Sequence, residues 1–387
     1  MKKDALELFN LRYPGIKPFH MKSHGRLEIC GNHTDHNNGL CLVSGVNLGI
    51  DAYFAKRDDG FIEIRSVGYP PYMMSIYDLT KRKKDEGTSL GLTRGIVSRM
   101  KSLGYRIGGF SCTMESNIFP GAGVSSSACY ESLIVGILSF LYNDNKVSPL
   151  EMAKIGRYSE VEYFGKPCGL LDQIGTSFGG IDYLDFKSND EPLVIPMSFH
   201  FPLQIVLVNT GGSHSKLTRL YAEIPDDMRR IASEFGKSTL REVNPSDFFH
   251  KEWGEVSEYL ESCISRATHY FNENERVERA KDAILENDVD AFLKAINESG
   301  ESSSRLLRNT MVHNRYAGSP QEACDRAKAI LNGQGACRIM GGGFAGSIIC
   351  FVPKNEAQHF IASMSKSYGS ANVKAVEIVE GGPALVE

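Results

Sequence analysis

The pattern of apolar and polar positions divides the 387-residue chain into two stretches of different character. Up to about residue 200, strand patterns alternate with helices. Ala5–Leu11 reads as a short helix, and Arg26–Ile29 and Gly39–Leu48 read as strands joined by the polar loop Gly31–Asn38 (GNHTDHNN). Strand and turn signals alternate through Ile50–Tyr77; Leu92–Leu103 is helical and Gly108–Ser116 strand-like. Cys129–Tyr142 is an apolar run long enough for a mostly buried helix. Pro149–Phe164 opens with a Ser-Pro helix start and is amphipathic, and Leu170–Phe178 is a further helix ending at Gly179-Gly180. Ile181–Asp185 and Leu203–Asn209 read as strands. The second stretch is helix-rich from Tyr221 to about Asn297, with helices expected over Glu255–Phe271, Glu275–Glu286 and Asp290–Ala295. Gln321–Leu331 adds another helix, and Ala336–Ile339, Ser347–Val352 and Val373–Ile378 add strands. No repeat or low-complexity linker interrupts the pattern. It predicts two α+β domains, 1–200 and 201–387, with strand order left open.

Four polar or glycine-rich segments break the pattern. Pro120, Gly121, Ala122 and Gly123 make a turn that feeds Ser125, Ser126 and Ser127, any of which suits a helix N-cap. Such a loop at a helix N-terminus aims several N–H groups at one point, which suits phosphate, though a plain loop-to-helix junction has the same composition. It is not a Walker loop, because no Gly-Lys-Ser/Thr follows the glycines. Arg26, Asn32, His33 and Asp35 put four hydrogen-bonding side chains within ten residues. That suits a polyhydroxylated ligand, and also an Asx-rich surface turn; His33, Asp35 and His36 are a weaker metal-type grouping. In Cys168–Gln173, Asp172 is a candidate base, though on its own it reads as a helix cap. Arg338–Gly346 (RIMGGGFAG) implies a backbone that something approaches closely, or a tight hairpin.

Composition narrows the class. With 42% hydrophobic residues the chain supports a large core, and its net charge of −4 with no dense basic patch argues against a nucleic-acid partner. The run Lys81–Lys84 meets Asp85 and Glu86 at once and reads as a solvated loop. Nine scattered cysteines without a CxxC pair imply free thiols in a reducing compartment. No stretch approaches a membrane span, and Met1–His20 lacks an apolar signal core. These features lead us to expect a soluble, cytoplasmic protein without a membrane partner, either monomer or homodimer.

Taken together and in order, the segments resemble the GHMP small-molecule kinases and, within them, the galactokinase family. GRLEICGNHTDHNNG is similar to the galactokinase signature, GAGVSSSA to the central phosphate loop, RIMGGGFAGS to the third motif and PCGLLDQ to the catalytic segment. VNTGGSHSKLTRLY and SEFGKSTLREV extend the resemblance, which covers roughly Leu8 to Phe351. It implies a ribosomal protein S5 domain 2-like N-terminal domain followed by a ferredoxin-like C-terminal domain. It also implies ATP- and Mg²⁺-dependent phosphorylation of a sugar at its anomeric hydroxyl, with galactose as the leading substrate. Asp172 would be the base, with Arg26 beside it and the γ-phosphate. Ser127 and Glu160 would hold Mg²⁺. Gly121, Gly123, Ser125 and Ser126, with Gly342 and Gly343, would contact the nucleotide. Asn32, His33, Asp35, Gly169 and Tyr221 would contact the sugar.

The chain departs from the family where Asn32 replaces the usual Glu, His36 the usual Tyr and His24 the usual Pro. Ser89-Leu90-Gly91-Leu92 stands where the adenine region often carries aromatics. The Asn32 exchange leaves open a related kinase for a galactose derivative, a uronic acid or arabinose. A non-catalytic sugar- and ATP-binding regulator is the rival from another class.

Overall fold

The computed structural model describes residues 4–188, 190–211, 217–313 and 315–386. Within these residues one sheet is built from β1 (Phe19–Cys30), β2 (Leu40–Arg57), β3 (Phe61–Ser66), β4 (Tyr72–Ser75), β5 (Gly109–Ser116), β6 (Ile181–Asp185) and β7 (Leu193–Met197). A second is built from β8 (Leu203–Asn209), β9 (Ala336–Ile339), β10 (Ser347–Pro353) and β11 (Val373–Val376), in the order β11-β8-β10-β9. The short β12 (Ala384–Leu385) returns to pair with β1. The fold is α+β, as the pattern implied.

β1 and β2 are longer than periodicity suggested, because Ser23, His24, Arg26 and Glu28 are buried along with the apolar residues and so mask the alternation. β2 changes partner along its length: Leu40–Ser44 pair with β6, and Ile50–Arg57 pair with β5. The register shifts at His24/Gly25 in β1. There the backbone N–H of Arg26 donates to Val124 O at 3.0 Å. A Cβ on Gly25 would lie 2.5 Å from that oxygen, so glycine lets the 121–127 loop lie on the strand.

The helices are α1 (Ala5–Arg12), α2 (Ser89–Ser102), α3 (Ser126–Tyr142), α4 (Pro149–Ser159), α5 (Leu171–Phe178) and α6 (Thr218–Ser233), then α7 (Pro245–His250), α8 (Glu258–Glu286), α9 (Val289–Ser302), α10 (Pro320–Leu331) and α11 (Ala357–Tyr368). On one face of the first sheet, Leu133, Ile134 and Leu138 of α3 pack against Phe54, Ile62 and Phe110. In another core, Leu27, Ile29 and Leu42 of the first sheet meet Ile205, Leu207 and Phe351 of the second, together with Phe292 and Ile296 of α9. The two sheets therefore share buried apolar surface, each fully buried side chain contributing about 1.5–3 kcal/mol.

Two expected helices, Glu255–Phe271 and Glu275–Glu286, are one continuous helix. The polar triplet 272–274 looked like a break, but Glu273 points inward. Its Oε1 accepts the backbone N–H groups of Gly31 (3.0 Å) and Asn32 (3.2 Å) and the Ser299 hydroxyl (2.6 Å), while Oε2 accepts Arg276 Nε at 2.7 Å. Burial raises the Glu273 carboxyl, but Arg276, His269 and Arg338 outweigh it and hold the group well below its usual range. Fully buried Arg338 on β9 donates through Nη1 to the Glu28 carbonyl (2.9 Å) and through Nη2 to Glu28 Oε1 (2.8 Å).

Replacing Arg338 by Met leaves the Glu28 carboxylate buried without its cation. The expected loss is about 3–5 kcal/mol of stability, read as a fall in denaturant midpoint at unchanged slope.

Candidate active site

Arg26, near the middle of β1, reaches Asp172 in the first turn of α5. Arg26 Nε lies 2.8 Å and Nη2 2.7 Å from Asp172 Oδ1, and Nη1 donates to Gly123 O at 2.6 Å. Ser125 Oγ donates to Asp172 Oδ2 at 2.5 Å. Burial pushes the Asp172 carboxyl up, yet the Arg26 guanidinium, Lys166 and the Ser125 hydroxyl together hold it below its ordinary value. Ser125 stands at the N-cap position of α3 with φ 59°, and its hydroxyl serves Asp172 instead of a helix N–H. The capping role expected of this residue is corrected accordingly.

The glycine turn before α3 is held from the second sheet. Asn209 Nδ2 donates to Pro120 O (2.8 Å), Ser347 Oγ donates to Gly121 O (2.8 Å), and a Cβ on Gly121 would sit 2.9 Å from the Asn209 amide. Ser126 is exposed, and Ser127 Oγ donates to Glu160 Oε1 at 3.0 Å. Glu160 begins a π-helical turn, Glu160–Phe164, that extends α4. Such turns re-aim side chains at functional positions. Ser127 and Glu160 offer hard oxygen donors in contact, which fits Mg²⁺ completed by phosphate and water oxygens. Among the described residues no three His, Cys, Asp or Glu side chains form a metal cluster.

His33, Asp35, Gly169 and Tyr221 come together around the expected sugar position. A Cβ on Gly169 would lie 2.4 Å from Asp35 Oδ2, so only glycine allows that approach. The His33 and Tyr221 rings are 5.1 Å apart, and Tyr221 Oη and His36 Nε2 are 2.8 Å apart. Burial and then His36 push His33 down to about 3, so it is neutral. Its Nε2 donates to Gly342 O at 3.0 Å, which leaves Nδ1 as a buried acceptor with no partner. His36 Nε2 also lies 3.6 Å from Asp35 Oδ1, but among the described residues His33, Asp35 and His36 do not form a metal-ligand group.

Asn32 departs from expectation. Its Nδ2 donates to Glu28 Oε1 (2.8 Å) and Gly341 O (2.7 Å), and its Oδ1 accepts from Asn309 Nδ2 (2.8 Å) and Ser303 Oγ (3.3 Å). Fully buried, with both amide ends occupied, it ties the signature loop to the second glycine loop and leaves no polar atom for a sugar. Gly342 and Gly343, expected at the nucleotide, pack closely against the protein's own side chains and backbone. A Cβ on Gly342 would lie 2.5 Å from the Tyr221 ring, and one on Gly343 2.4 Å from Asn309 O. The close approach that the glycines announce is made by the protein itself, in the hairpin between β9 and β10. Of VNTGGSHSKLTRLY, residues 212–216 lie outside the described residues.

Known families match the same segments. The family described as GHMP kinases N terminal domain matches residues 92–180, GHMP kinases C terminal matches 280–370, and the galactokinase galactose-binding signature matches 7–56. The chain belongs to the galactokinase family of GHMP kinases. It is 28% identical to a galactokinase from Glaesserella parasuis, over 89% of this chain and 88% of that one. It is 27% identical to one from Limosilactobacillus fermentum, over 93% of each. In fold it is similar to Lactococcus lactis galactokinase complexed with galactose (TM-score 0.83, 22% identity, 98% of both chains) and to a mevalonate kinase (TM-score 0.67, 14% identity, 93% of this chain and 99% of that one).

This GHMP kinase carries a second layer of site residues that motif reading passed over. Gln173 Nε2 bridges Glu160 Oε2 (2.7 Å) and Glu131 Oε2 (3.1 Å). Burial and then the Glu160 charge push the Glu131 carboxyl far above the usual carboxylate range. Lys166 Nζ lies 2.9 Å from Glu160 Oε1. Glu131 was hidden in the apolar run of α3; Gln173, next to Asp172, was the available signal.

Because the Asp172 carboxyl is lowered, its ionised form is present above that depressed value and is lost as pH falls through it. Ser125→Ala removes one donor, so the acid limb of kcat/KM is expected to move to higher pH, read from the pH–rate profile.

Proposed function

We propose that this protein transfers the γ-phosphoryl group of ATP to the anomeric hydroxyl of galactose, giving galactose 1-phosphate and ADP. The Arg26–Asp172 pair, beside the serine turn at the α3 N-terminus, carries the reading. Asp172, kept ionised, accepts the hydroxyl proton as the oxygen attacks. Arg26 orients Asp172 and offsets charge developing on the transferred group. Backbone N–H groups of Gly121, Gly123, Ser125 and Ser126 cradle the phosphates. Ser127 and Glu160 would hold Mg²⁺, which when bound would neutralise phosphate charge. His33, Asp35, Gly169 and Tyr221 recognise the sugar hydroxyls, with the free Nδ1 of His33 as an acceptor. Without aromatics at residues 89–92, the base is held by apolar contacts. We place the division between the family's two domains near residue 200 and the reaction in the cytoplasm. Among the described residues no helix is long and apolar enough to cross a membrane.

The occupied amide of Asn32 favours one second reading, in which the same chemistry acts on a related sugar. A panel of free sugars, run with ATP and with GTP and followed by ADP or GDP release, decides between them. Galactose with ATP is expected to be fastest, and a faster uronic acid or pentose selects the second reading. Asp172→Asn is expected to lower kcat by roughly 10²–10⁴-fold while galactose still binds by calorimetry. Near-normal turnover in that variant refutes the assigned base.

A further inference from the structure

Lys166 lies in the segment that joins the π-helical turn Glu160–Phe164 to α5. Its ammonium is 2.9 Å from Glu160 Oε1, the same oxygen that accepts from Ser127 Oγ at 3.0 Å. The other oxygen, Oε2, accepts from Gln173 Nε2 at 2.7 Å. Both oxygens of the carboxylate are therefore already served by protein donors.

The two partners differ in freedom. The Glu160 side chain is 0% exposed and fixed by Ser127 and Gln173, whereas that of Lys166 is 52% exposed on a flexible stem. One partner is free to leave and the other is not. A divalent ion bound to Oε1 at about 2.0–2.1 Å would meet the ammonium as a like charge at the same oxygen. The ion and the ammonium, both cationic, compete for that oxygen.

We propose that Lys166 is an internal counter-ion. It occupies the cation position on Glu160 while no metal is bound, and the incoming divalent ion displaces it. Burying the Glu160 carboxylate without a cation would be costly, and Lys166 offsets that cost between turnovers. The same contact raises the metal concentration the protein needs, because every binding event must first break the ion pair. This rests on Glu160 and Ser127 holding the metal in the proposed reaction.

The test is a titration of Mn²⁺ onto the full chain with a non-hydrolysable ATP analogue and no sugar, following free Mn²⁺ by electron paramagnetic resonance. Lys166→Met keeps the stem and removes the charge, and is expected to tighten Mn²⁺ binding by roughly five- to tenfold, the scale of one partly exposed ion pair. Lys166→Arg keeps the charge and is expected to stay close to the parent. Unchanged or weaker binding in Lys166→Met overturns the proposal, because a lysine that merely braces Glu160 would weaken the site when removed. Glu160→Gln serves as a separate control. If it binds Mn²⁺ as well as the parent, Glu160 is not a ligand and the assigned metal site fails, whatever Lys166 does. Galactose-dependent ADP release by the parent tests the proposed reaction independently.

Discussion

A guanidinium buried in the middle of a strand is the constraint around which this molecule is arranged. Arg26 is 6% exposed, and removing its charge from water is costly unless every donor finds an acceptor. The structure supplies Asp172 from α5 and the Gly123 carbonyl from the serine turn. Those contacts draw three separated stretches of chain to one point. They also keep Asp172 ionised in a setting that would otherwise protonate it. One ion pair thus serves stability and leaves a base ready beside a phosphate-type loop.

Behind that point lies a buried polar layer that joins the two sheets. Glu273 on α8 binds the signature-loop backbone, Arg338 on β9 binds Glu28, and Asn32 links Glu28 to the loop carbonyl of Gly341. Polar groups buried this deeply are directional, so they set where the loop sits more tightly than apolar packing does. Asp35, His33 and Tyr221 inherit their positions from this layer. The residue that departs most visibly from the family pattern, Asn32, belongs to the layer and not to the surface a ligand would meet.

The carboxylates near the serine turn show how a low-dielectric setting sorts like groups. Glu131 and Glu160 share one amide donor, Gln173, and burial raises the Glu131 carboxyl well above its usual range. Glu160 keeps Ser127 and Lys166 as partners. Asp172 is governed by Arg26. Three acids within one neighbourhood therefore have three different environments, each set by which cation or dipole stands closest.

The α+β class, most element positions and the glycine turn before α3 were legible in the sequence, because turn chemistry and hydrophobic period are local properties, whereas the pairing of Arg26 with Asp172 came from the resemblance to the family. Local reading failed where a polar residue faces inward. It split α8 at Glu273, shortened β1 at its buried Ser23 and His24, and did not foresee that Asn32, Gly342 and Gly343 pack against Glu28, Tyr221 and Asn309. Lys166 and Glu131 lie outside the family motifs, and Glu28 lies within the signature with nothing local to announce its partner. Glu131 meets Gln173 and Glu28 meets Arg338 only when distant stretches of chain come within hydrogen-bond distance. Lys166 reaches Glu160 only through the turn that follows α4, and each such distance is a property of the packed fold.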